Sequence, residues 1–186
     1  MHVTTGGCQI LVQPSTRADD ENINLVLPCQ DAYVELNGQR VFTTNLLGIS
    51  QIGVNTMQLD PVAGQVSNVK QFNTWGTLGA ADDLADYLNS LPKGQIVIGV
   101  THDDPTRHLA AALPTLKNLG VVVDDVTYRG MFAFVLEIGH PERTVYVKSI
   151  TPAECPWIAL NMPGKHTNEF SRQCCWRVLP RSVSQD

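Results

Sequence analysis

The chain has 186 residues, of which 43% are hydrophobic and 17% charged, and a formal net charge of -5. That length and apolar share fit one folded domain with an appended tail, and they exclude a disordered, collagen-like or coiled-coil chain. With 13 Lys plus Arg against 18 Asp plus Glu there is no basic stripe, which argues against nucleic acid and acidic membrane surfaces as partners.

Residues Met1 to Gly7 have neither a charged n-region nor an apolar h-region, and no stretch approaches the ~20 apolar residues that span a bilayer. Gln9-Ile10-Leu11-Val12-Gln13 reads as a strand, followed by a polar loop from Pro14 to Asn22. Ala32 to Leu36 alternates, and Asn37-Gly38 supplies the two positive-φ residues of a tight primed turn before Arg40-Val41-Phe42. A second hairpin is expected from Ile52 to Asp60 and Gln65 to Phe72, turning at Pro61 to Gly64.

The period then changes. From Ala80 to Leu91 the apolar residues Leu84, Tyr87, Leu88 and Leu91 share one helical face, acids crowd the first turns, and Pro92-Lys93-Gly94 ends the element. Gln95 to Thr101 is almost wholly apolar, as a central buried strand would be. A second helix is expected over Pro105 to Asn118, capped by Asp104 and stopped by Gly120, with Pro114 inside it as a kink or break. Met131 to Leu136 and Thr144 to Lys148 read as strands around a Gly139-to-Pro141 turn. Strands in hairpins, two helices, then strands again define an α+β domain with mainly antiparallel pairing, the alternative being a small α/β sheet around residues 80–118. From Thr151 the texture is rich in Pro and Cys, with Trp157 and Trp176 as packing residues.

The 5 cysteines, Cys8, Cys29, Cys155, Cys174 and Cys175, lack the paired spacing of a zinc site and read as a disulfide framework in an oxidising compartment. Adjacent Cys174 and Cys175 can hardly bridge each other, and one of them is the natural candidate for an odd thiol or an inter-subunit link.

Catalytic signatures are missing: no Gly-x-Ser-x-Gly, phosphate loop, His-Glu-x-x-His or dinucleotide fingerprint occurs. His102-Asp103-Asp104 with His108 can be drawn as a general-base or metal cluster. Helical spacing does not bring the two histidines to one face, however, so a helix cap is the plainer reading. Asp103 follows a buried strand and Arg129 precedes another, so both stand where loops leave a sheet. A carboxylate accepts from hydroxyls and a guanidinium donates to them, which together can hold a sugar, with Tyr128, Phe132 or Trp75 offering an apolar face. An ordinary Asp-Arg salt bridge is the alternative.

Four segments carry a resemblance to a known family. Gly64-Gln65-Val66-Ser67-Asn68-Val69-Lys70-Gln71-Phe72-Asn73-Thr74-Trp75-Gly76, Ile96 to Asp104, Leu119-Gly120 and Tyr128-Arg129-Gly130-Met131-Phe132-Ala133-Phe134 resemble the successive motifs of the interleukin-like EMT inducer (ILEI) domain. In look they are closest to the lectin-like stem domain of protein O-mannose N-acetylglucosaminyltransferase. The domain also occurs in cell-surface hyaluronidase-type proteins. The resemblance covers about residues 32–148, leaving 1–31 as an N-terminal strand and loop and 149–186 as a disulfide-tied tail. It implies a lectin-like fold of two packed antiparallel sheets with flanking helices. It also implies that the family's acidic and arginine sugar contacts fall on Asp103 and Arg129. Two departures remove an arginine and a carboxylate from the pattern: Gln51-Ile52-Gly53 stands for Gly-Arg-Gly, and Arg129-Gly130-Met131-Phe132 for Arg-Asp-x-Trp.

The expectation is therefore a secreted, non-enzymatic carbohydrate-binding protein. Its site would comprise Asp103, Arg129, Phe132, Tyr128, Trp75 and His102, with no metal or cofactor. Glycans or glycoproteins would be its partners, and a homo-oligomer, disulfide-linked through the fifth cysteine, would supply multivalency. The alternatives are an ILEI-type signalling protein acting through a protein receptor, and an enzyme using His102 or His108.

Overall fold

A computed structural model describes residues 8–15, 31–44, 51–150 and 155–162. Its strands are β1 (Cys8–Gln13), β2 (Tyr33–Leu36), β3 (Gln39–Thr43), β4 (Gly53–Asp60), β5 (Gln65–Phe72), β6 (Ile96–His102), β7 (Met131–Glu137), β8 (Val145–Ser149) and β9 (Ile158–Met162). Helices α1 (Ala80–Ser90) and α2 (Leu113–Asn118) complete an α+β fold. The strands form a four-stranded sheet in the order β3-β2-β1-β9 and a five-stranded sheet in the order β5-β4-β6-β7-β8. Every pairing is antiparallel, so the α/β alternative falls.

The five-stranded sheet is the middle layer. One face packs on the other sheet through Ile10, Val12, Val34, Leu36, Met57, Ile98, Val100, Ala133 and Val135. The opposite face packs on the helical layer through Val54, Val97, Phe132, Phe134, Leu84, Leu88 and Leu116. Alternation along β6 and β7 is therefore real, but both faces are apolar, so every residue of β6 is buried. Asn37 and Gly38 take φ of 52° and 78° at the expected hairpin turn.

Three sequence expectations are corrected. The helix expected over 105–118 is present only as α2, preceded by a single 3-10 turn at Ala110–Ala112. Pro114 has no N–H to give and its ring would crowd the carbonyl one turn back, so it lies in the first turn of α2 rather than inside a longer helix. Within the presumed tail, Ile158–Met162 is a strand paired along β1, from Cys8 opposite Met162 to Val12 opposite Ile158. Among the described residues, finally, Cys8 is a free thiol, whereas it is expected to be one of the staples. It is buried in the inter-sheet core, where burial pushes its pKa up and it behaves as a small hydrophobe. Cys29, Cys174, Cys175 and Trp176 lie outside the described residues.

Candidate functional site

β6 and β7 are antiparallel neighbours, so the loop after His102 and the loop before Met131 leave the sheet at the same end. The last ladder pair is Val100 opposite Ala133. Beyond it the Thr101 hydroxyl takes the place of a backbone ladder, accepting from the Phe132 N–H at 2.9 Å and donating to the Phe132 carbonyl at 3.0 Å. The strands part there, and Asp103 and Arg129 follow on either side.

Both residues adopt left-handed backbone, Asp103 at φ 61° and Arg129 at φ 59°. Asp tolerates that region through its short polar side chain, whereas Arg has no such compensation and is held at a cost of about 1–2 kcal/mol. A turn imposes it: the Gly130 N–H bonds the Thr127 carbonyl at 2.8 Å, which places Tyr128 and Arg129 at the two central positions. Thr127 Oγ1 ties that turn to the Ile150 carbonyl at 2.9 Å. Lys148 braces the preceding segment by donating to the Val122 carbonyl and pairing with Asp125, and that hydrogen bond holds the Asp125 carboxyl below the usual range.

On the other side of the site, Asp103 is 6% exposed and Asp104 2%. Asp104 Oδ1 accepts from both the N–H and the hydroxyl of Thr106 at 2.7 Å, folding the chain into a tight side-chain-to-backbone turn, while Oδ2 is buried without a hydrogen-bond partner. The turn carries Arg107 outward. It is locked to the loop after β5, since Thr74 Oγ1 donates to the Pro105 carbonyl at 2.7 Å and the His108 N–H bonds the Thr74 carbonyl at 2.8 Å.

That lock positions half-buried Trp75 beside exposed Tyr128, with ring centroids 5.8 Å apart. The Arg129 guanidinium lies 5.3 Å from the Tyr128 ring centre, and its Nε donates to the Tyr128 hydroxyl at 3.1 Å. On the Trp75 side, the Arg107 guanidinium lies 5.3 Å from the indole centre. Trp75, Tyr128, Arg129 and Arg107 thus form one cluster of aromatic and guanidinium groups, with Tyr128 and Arg107 exposed and Trp75 and Arg129 half-buried.

Two of the expected site residues are elsewhere. Phe132 is fully buried and stacks on Phe134 with ring centroids 6.4 Å apart, so no face of it reaches a ligand. His102 is 1% exposed, and its Nδ1 sits 2.7 Å from Ser15 Oγ and 3.2 Å from Thr44 Oγ1. These hydroxyls follow β1 and β3, so His102 fastens the two sheets together beneath Asp103 and is a core histidine rather than a ligand contact. Arg107 was hidden from the sequence by the assumed helix over 105–118. The only signal for it was an arginine three residues after a loop-forming Asp104. No group of three or more His, Cys, Asp or Glu side chains that could hold a metal ion occurs among the described residues.

Because Thr101 carries the join between the strands, Thr101→Val is expected to leave the Phe132 N–H and carbonyl buried and unpaired, costing about 2–4 kcal/mol. Thr101→Ser should keep the hydroxyl and lose less. Urea denaturation of the two variants checks this, and equal costs would show that the hydroxyl does not carry the join.

Fold and site together define a two-sheet α+β domain with its candidate site on loops at one end of the central sheet. Residues 52–140 match the family model of the interleukin-like EMT inducer, and over that span the chain carries an ILEI domain. The match runs from just before β4 to the turn after β7, and so contains all four members of the aromatic and guanidinium cluster together with Asp103. The chain has no match among curated proteins.

Proposed function

We propose that the protein is a non-enzymatic carbohydrate-binding protein that holds a sugar between Asp103 and Arg129 with Tyr128 and Trp75 as apolar faces. The observation that carries this reading is the pair of left-handed, non-glycine residues, Asp103 and Arg129, at the point where β6 and β7 diverge. Strained backbone of this kind is retained where a site needs it. An acceptor, a planar donor and an exposed ring within one loop cluster match the alternating hydroxyls and apolar face of a sugar. A catalytic use of His102 is disfavoured, because its ring is buried among hydroxyls that belong to the other sheet. A secreted setting agrees with the cysteine usage: Cys8 is free, which leaves Cys29, Cys155, Cys174 and Cys175 for two bridges. A single shallow sugar site binds weakly, so an oligomer would raise avidity.

The test is a glycan array with wild type, Asp103→Asn and Arg129→Gly. Asn and Gly both accept left-handed backbone, so these variants remove the charges while keeping the turn. Arg129→Gly is expected to fold at least as stably as wild type by thermal denaturation while losing glycan binding at least about tenfold, the worth of one charge-assisted hydrogen bond. Unchanged binding in both variants would overturn the reading. An empty array together with capture of a membrane protein after its enzymatic deglycosylation would instead favour receptor recognition without sugar.

A further inference from the structure

From this cluster we infer that the sugar recognised is acidic, bearing a carboxylate or sulfate that Arg107 receives beside Trp75. The inference rests on the carbohydrate-binding reading above and deepens it. The carboxylates of this loop add little negative surface: Asp103 and Asp104 are 6% and 2% exposed, and Asp104 Oδ1 is occupied by Thr106. What the surface presents is instead the exposed Arg107 and Tyr128, with Trp75 and Arg129 half-buried around them. Arg107 is exposed, and among the described residues no carboxylate lies within ion-pair distance of it. The chain as a whole carries -5, so an exposed arginine with no carboxylate beside it, set over an aromatic ring, is opposite in sign to the chain around it.

Its place over the Trp75 indole, 5.3 Å from the ring centre, is what suits Arg107 to the task. A guanidinium held by cation–π attraction spends none of its N–H donors on a carboxylate, so its fork stays available to a two-oxygen acceptor. The contact also limits side-chain motion, so less entropy is lost when the acceptor arrives. Carboxylate and sulfate both present paired oxygens to such a fork, whereas a hydroxyl offers one.

The experiment compares matched ligands by calorimetry: a uronic-acid-terminated oligosaccharide against its carboxyl-reduced alcohol, and a sulfated oligosaccharide against its desulfated form. Wild type is expected to bind the charged member of at least one pair about tenfold more tightly at low salt, with the preference shrinking at high salt. Whichever pair responds identifies the anionic group. Arg107→Gln should bring the two members to near parity while its circular dichroism spectrum and Tm match wild type, which separates loss of the charge from misfolding. Equal binding of both members by wild type, or a charge preference that survives Arg107→Gln, would overturn this inference while leaving sugar binding standing. Failure to bind any sugar would overturn the underlying reading itself.

Discussion

Gly53→Ala is expected to be among the most damaging single substitutions in the molecule, costing at least about 3 kcal/mol and about 6–12 °C in Tm for a chain of this size. Gly53 opens β4 opposite His102, at φ 98°. A Cβ built there lies 2.3 Å from the Phe72 carbonyl oxygen, 2.7 Å from the Thr74 nitrogen and 3.1 Å from the Asn73 Cα. All three obstacles are backbone, so no rotamer change relieves them. The chain at 72–74 would have to withdraw, pulling on the Thr74 bonds to Pro105 and His108 that fix Trp75 against Tyr128. Gly94→Ala provides the internal comparison. It shares the left-handed backbone at φ 87° but has nothing within 4 Å of its Cβ, so its cost should be the conformational penalty of about 1 kcal/mol alone. If urea or thermal denaturation finds the two substitutions equally costly, the close approach at Gly53 contributes nothing.

Much of this fold is legible in the sequence because its strands either alternate or end in residues with a fixed conformational meaning. Asn37-Gly38 and the run from Gln65 to Phe72 are of that kind, and α1 shows a single apolar face. Where both faces of a strand are buried the signal disappears. In β7 the run Met131 to Leu136 is apolar throughout, so nothing local says that Phe132 and Phe134 both point to the helical layer and that neither is available to a ligand. The hydroxyls that hold His102 come from residues 15 and 44, far away along the chain, and only the folded sheets bring them to its ring. β9 is hidden in the sequence for a related reason. Ile158, Ala159 and Leu160 are a short apolar run among prolines, and their partner strand begins at Cys8. At the site, Asp103 and Arg129 could be named from the resemblance, but their left-handed backbone could not, since neither residue type advertises it as glycine does. Arg107 required the correction of the helix boundary, which depended on a proline starting α2 rather than kinking it.

The second large effect is expected at Gly99, where the obstacle is a side chain and the outcome therefore depends on whether that side chain can yield. Gly99 lies in the middle of β6, directly opposite Phe134 of β7. A Cβ there would meet the ring of Phe134 at 2.0 Å from Cζ and at 2.3 and 2.5 Å from the two Cε atoms. The ring thus lies over the glycine, filling the space that a side chain on that face of β6 would occupy. Phe134 is fully buried and stacked on Phe132, so the ring cannot swing into solvent. Gly99→Ala is expected to cost about 3 kcal/mol, at the upper end of overpacking penalties, because the ring must displace its neighbours in the helical-side core. Phe134→Leu removes the far end of the ring and costs about 1–2 kcal/mol on its own through the cavity it leaves. Combined, the two should cost less than their sum by at least about 1 kcal/mol, since the shorter side chain admits the new methyl. The coupling can be read from chemical denaturation of the four proteins, and strict additivity would mean that the ring does not rest on Gly99. The displacement has a functional consequence as well. Thr101 and Phe132 each lie two residues from this contact, and their hydroxyl join sets where Asp103 and Arg129 leave the sheet. Gly99→Ala should therefore weaken sugar binding under conditions where the protein is still fully folded, and Phe134→Leu in the same chain should restore part of it.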